Sequence, residues 1–123
     1  IIYKNNITTT GTDGADAVVQ SADNTALTGT TLTVTLAAFG NSGNATYGVI
    51  FNEVNALISP GTGFTELNED NASGVGDIES EWRNDNDTTV DWSWTGSTPR
   101  VVGIALEVKF ISVRNFQTLL GVR

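Results

Sequence analysis

At 123 residues the chain is about one domain long, and its 39% hydrophobic, 16% charged composition supports one real core and excludes a disordered polymer. Fourteen acidic against six basic residues give a net charge of −8 and a pI near 4.1, which repels phosphate backbones and anionic lipids, so neither nucleic acid nor a membrane is expected as a partner. Without Cys or His there are no disulfides, thiolate metal sites or thiol nucleophiles, and the commonest general base is missing.

In chain order, residues 1–3 form a short apolar stretch suited to an edge strand or arm, followed by a Thr- and Gly-rich loop over 8–14 and a short strand over 15–20. Residues 30–36 alternate cleanly, with Leu32, Val34 and Leu36 on one face and threonines on the other. A turn at 40–44 opens a strand over 45–54 that carries Tyr47, Val49 and Phe51 on one face and Ile50 on the other, as expected of an interior strand. After a turn at 59–63, strands are predicted over 64–69 and 77–83, separated by a loop over 70–76. In the second of these, Ile78 and Trp82 are expected inward, with Asp77, Glu79, Glu81 and Arg83 outward as a hydrated face. The strand over 87–94 places Val90, Trp92 and Trp94 together, and the 77–83 strand is expected to pair with it as a meander. The longest β-branched run, 100–113, keeps Val102, Ile104, Leu106, Val108 and Phe110 on one face and reads as a central strand.

Eight short strands without βα alternation predict an all-β fold, an antiparallel β-sandwich that is jelly-roll-like. The expected division is an N-terminal arm or edge strand with its loop (1–14), the sandwich (15–114) and an apolar tail (115–123). The tail either folds back on its own domain or docks on a neighbouring subunit by strand pairing. If the termini engage neighbours, the expected subunit contacts are Ile1, Ile2, Tyr3, Phe116, Leu119, Leu120 and Val122. Because no Met begins the chain, it is expected to be a processed product or part of a longer polypeptide.

The chemistry left to the chain is that of carboxylates. Glu79 and Glu81, about 7 Å apart along one strand face, have a spacing compatible with two-carboxylate glycoside hydrolysis, but a hydrated strand face explains them more simply. Asp70, Asp77, Asp85, Asp87 and Asp91, with Asn71, Asn84 and Asn86, offer hard oxygen ligands in no known calcium-loop spacing, and the same residues are ordinary turn formers. Neither a metal nor a cofactor is therefore expected. Trp82, Trp92 and Trp94, with Tyr47 and Phe64, could stack on sugar rings, but alternation puts the three indoles on the core face. N-glycosylation sequons begin at Asn6, Asn44, Asn71 and Asn86.

The stretch Ser59-Pro60-Gly61-Thr62-Gly63-Phe64-Thr65-Glu66-Leu67, continuing through Glu79-Ser80-Glu81-Trp82-Arg83 to Val102-Gly103-Ile104-Ala105-Leu106-Glu107-Val108-Lys109, resembles jelly-roll-like β-sandwich surface modules. Such modules occur in structural proteins of tailed-phage virions and in secreted bacterial proteins. The likeness spans roughly residues 32–109, and its Gly-Phe-Thr-Glu and Gly-Ile-Ala-Leu-Glu strands are packing signatures without catalytic content. It implies a non-enzymatic module on a virion or extracellular surface, whose partners are copies of itself or capsid or filament neighbours. The alternative is a carbohydrate-binding module of a secreted protein, with a glycan as ligand.

Overall fold

A computed structural model describes residues 16–54, 56–72, 75–96 and 100–109. They form eight strands: β1 (Val18–Ala26), β2 (Thr31–Thr35), β3 (Ala45–Asn52), β4 (Ile58–Ser59), β5 (Thr65–Ala72), β6 (Gly76–Arg83), β7 (Thr89–Trp94) and β8 (Val101–Val108). No α-helix occurs among the described residues. Every pairing is antiparallel, in a five-stranded sheet ordered β1-β8-β3-β6-β5 and a three-stranded sheet ordered β2-β7-β4. The expected all-β sandwich is what the chain forms.

The winding is that of a jelly roll, in which strands pair from the outside of the sequence inwards: β1 with β8, β2 with β7, β3 with β6. The innermost pair is altered. β4 has only two residues and bonds to β7, while β5 joins the edge of the larger sheet beside β6. A side chain replaces the missing ladder, since the Ile58 N–H donates to Glu69 Oε1 at 2.8 Å and so ties β4 to β5.

The meander expected between the 77–83 and 87–94 strands does not form, because β6 and β7 lie in different sheets. Arg83 is the cause. Its Nε and Nη1 bind Asp85 and Asp87, both at 2.7 Å, its Nη1 also donates to the Thr62 carbonyl, and its guanidinium lies over the Phe64 ring. Asp85 accepts from the Asp87 N–H, Asp87 accepts from the Thr89 N–H, and the Thr46 hydroxyl donates to the Asp87 carbonyl. This clasp holds 84–88 as a bridge between layers instead of a hairpin. Gly63 belongs to it: at φ +86° a Cβ would be strained and would lie 2.7 Å from Arg83 Nη1.

The core lies between the sheets. The smaller sheet supplies Leu32, Val34, Ile58, Val90, Trp92 and Trp94, and the larger supplies Ile50, Val101 and Ala105. The expected faces of the 30–36 and 87–94 strands hold. That of β6 is reversed, and on β8 the bulky face is the one that turns outward: Ile78, Val102 and Ile104 are exposed, whereas Asp77, Glu79, Glu81 and Glu107 are buried. Trp82 accordingly lies on the outer side, apart from Trp92 and Trp94.

The reversal follows from where the Trp92 ring sits. A Cβ on Gly48 would come within 2.6 Å of Trp92 Cζ2 and 2.5 Å of Val90 Cγ1, and one on Gly103 within 3.0 Å of Trp92 Cζ3. These two strand glycines, with Ala105, leave a recess that the indole fills. Their parity therefore points inward, and the bulky residues between them point out.

Strand boundaries move less. β1 runs to Ala26, past the predicted end at residue 20, β5 reaches Ala72 into the expected loop, and β4 overlaps the start of the expected turn at 59–63. The arm at 1–3 and the tail at 115–123 lie outside the described residues.

Filling the recess should be costly. Gly48→Ala is expected to lose about 2 kcal/mol or more in urea denaturation, as overpacking of a filled core does. Gly40→Ala, where a Cβ meets nothing within 4 Å, should change little.

Candidate functional site

Cross-strand partners share a face, so the register gives both sides of the five-stranded sheet row by row. On the outer side, the first row reads Ser21, Leu106, Tyr47, Trp82 and Thr65 from β1 to β5. The second reads Asp23, Ile104, Val49, Ser80 and Asn68, and the third Thr25, Val102, Phe51, Ile78 and Asp70. Apolar and aromatic residues dominate the three central strands, and both flanking strands are polar. Phe51, Ile78, Val102 and Ile104 are each about two-fifths exposed, around a shallow depression of about 200 Å³. The smaller sheet is opposite in character: Thr31, Thr33, Thr35, Asp91 and Ser93 make up its outer face.

The inner side carries the acids. Glu107 is satisfied, accepting from Gln20 Nε2 at 2.7 Å and from Asn44 Nδ2. Gln20 meanwhile bonds both the N–H and the carbonyl of Ala37, holding the loop after β2 against β1. Along the β5–β6 pair, acids face acids: Glu66 lies opposite Glu81 and Glu69 opposite Glu79, with Asn71 opposite Asp77. Glu81 accepts the Gly61 N–H at 2.9 Å through one oxygen, and its other oxygen is unpartnered. Asp77 accepts from Asn71 Nδ2 through one oxygen. Glu79 makes no hydrogen bond through either oxygen, and the nearby Trp92 indole N–H falls short of bonding geometry.

Burial without a counterion makes Glu79 and Glu81 hold their protons to higher pH than usual. Loss of water pushes Glu79 up to about 7, with Glu66, Glu69 and Asp77 adding repulsion and Trp92 opposing the rise. Loss of water likewise pushes Glu81 up to about 8, partly opposed by the Gly61 N–H and reinforced by Glu79 and Asp91. Burial, then Glu69, also raises Asp77.

This placement bears on each expected chemistry. Glu79 and Glu81 do share a strand face, but both are 0% exposed and out of reach of a substrate, so the hydrated face expected for them is corrected. Asp85 and Asp87 are committed to Arg83, and among the described residues no group of three or more acidic side chains is placed to hold a metal ion. Trp92 and Trp94 are core residues. Tyr47 and Trp82 stand side by side on the outer face, half-buried, and Phe64 lies under Arg83. Of the sequons, Asn44 is buried and closed to modification, Asn71 and Asn86 are exposed, and Asn6 lies outside the described residues. Ile1, Ile2, Tyr3, Phe116, Leu119, Leu120 and Val122, expected as subunit contacts, also lie outside them.

The apolar outer face is the feature that alternation alone left on the wrong side. Gly48 and Gly103 carried the missing signal, since a glycine inside a strand marks a close approach by something else. The chain matches no protein-family model, no curated protein and no solved structure, so its function has to be read from its own geometry.

The buried acids set a pH dependence. Both carboxyls titrate near 4.5 when unfolded and near 7 to 8 when folded, so between those limits the folded chain binds more protons and stability falls as pH rises. Thermal unfolding should show a higher midpoint at pH 5 than at pH 8.5. Glu79→Gln and Glu81→Gln should each stabilise the protein at pH 8.5 by on the order of 2 kcal/mol and flatten the pH profile. A midpoint that rises with pH would contradict the protonated interior.

Proposed function

We propose that this chain is a non-enzymatic structural module, a decoration or tail component of a virion surface or a subunit of an extracellular filament. It works by packing the outer face of its larger sheet against a neighbouring protein. The observation that carries this reading is the contrast between the two outer faces. One is threonine-rich and needs only water, and the other presents Val49, Phe51, Ile78, Val102 and Ile104 between polar edges. An apolar centre with a polar rim is the anatomy of a protein–protein contact. A sheet serving only its own core would alternate apolar-in and polar-out. The setting rests on the resemblance of the Gly-Phe-Thr-Glu and Gly-Ile-Ala-Leu-Glu strands to virion and secreted surface modules.

A carbohydrate-binding role has one observation in its favour, the neighbouring Tyr47 and Trp82 rings beside Ser21 and Thr65. It requires glycan-dependent quenching of tryptophan fluorescence that disappears in Trp82→Ala, because the other two indoles are sealed in the core.

Light scattering on the purified chain should detect association that Ile104→Glu weakens at least ~100-fold, as expected for losing about 3 kcal/mol of apolar contact, with the far-UV spectrum unchanged. A chain that stays monomeric at high concentration, or an assembly indifferent to Ile104→Glu and Val49→Glu, would overturn the proposal.

A further inference from the structure

We infer that the outer face of the five-stranded sheet is covered by residues 110–123 of a neighbouring copy of this chain, an inference that rests on reading that face as an assembly contact. Three observations single out this occupant.

The first is charge. The polar edges of the face carry Asp23 on β1 and Asp70 on β5, in a chain of net charge −8. A second copy laid face to face would set the same aspartates against one another. Residues 110–123 contain Arg114 and Arg123 and no acid, so their charge is opposite to that of the edges.

The second is length and composition. Fourteen residues extended at about 3.3 Å each reach about 46 Å, while five strands spaced about 4.8 Å apart span about 19 Å, so the segment can cross the face with residues to spare. In an extended segment Phe110, Phe116, Leu120 and Val122 share one face and can be set against Val49, Phe51 and Ile104.

The third is direction. The Lys109 N–H donates to the Ala17 carbonyl at 2.8 Å, which keeps the chain alongside β1 to the last residue of this stretch and aims it off the end of the sheet. Covering its own face would demand an immediate reversal. Among Phe110, Ile111, Ser112 and Val113 only Ser112 is a turn former, and a weak one, while the β-branched pair favours extension. On this inference the segment continues forward to another copy.

The protein contains no cysteine, so engineered thiols report without background. Full-length Val49→Cys is mixed with full-length Phe116→Cys, Leu120→Cys or Val122→Cys, oxidised, and run on non-reducing gels. Crosslinked heterodimers are expected with at least one tail variant, and none when Thr33→Cys, on the other sheet's outer face, replaces Val49→Cys. Three results would overturn the inference: a bond only within one chain when both thiols share it, Val49→Cys crosslinking only to itself, or no bond at all. If the tail thiols fail while Ile104→Glu still dissolves the assembly, the contact-face reading survives without this occupant. If the unaltered chain does not associate, both readings fall.

Discussion

The fold turns on one contact, the Trp92 indole seated over Gly48 and Gly103. A ring of that size needs a recess, and only glycine in two adjacent strands provides one without displacing the backbone. Once the indole is seated, the inward parity of β3 is set through Gly48 and that of β8 through Gly103, and the register of β6 against β3 sets the third strand. Everything else on the larger sheet follows from this parity. Ile50, Val101 and Ala105 join the core, the acids of β6 go in, and Val49, Phe51, Ile78, Val102 and Ile104 go out.

That arrangement carries two energetic penalties on one sheet. Carboxyl groups lose water inside, and apolar side chains meet water outside. The first is reduced by protonation and by hydrogen bonds such as those from Gln20 and Asn44 to Glu107 and from the Gly61 N–H to Glu81. The second is relieved only by another surface. Both penalties fall on one sheet, and both follow from the same inward parity of its strands.

The polar groups also direct the winding. The Arg83 clasp with Asp85 and Asp87 carries the chain from one layer to the other, and Glu69 takes over where β4 is too short to pair with β5. The abundant Asp and Asn, which by composition could serve a metal or simple turns, are here mostly devices for connecting strands.

Much of this was legible beforehand. The all-β class, the sandwich, the interior position of β3 and β8 and the core faces of β2 and β7 follow from period-two alternation, because a strand must sort its side chains onto two faces. The smaller sheet was read correctly because Leu32, Val34, Val90, Trp92 and Trp94 face a wholly polar opposite side. In β6 the same rule failed: Ile78 and Trp82 alternate with Asp77, Glu79 and Glu81, and hydropathy alone sends the acids to water. Alternation states which residues travel together and leaves open which group meets the other layer. Where a strand and its neighbours along the chain settled the matter, local pattern was enough. Which face of the larger sheet closed on Trp92, and therefore which face was left outward, depended on the fit of one indole between strands far apart in sequence, and only the tertiary structure could decide it.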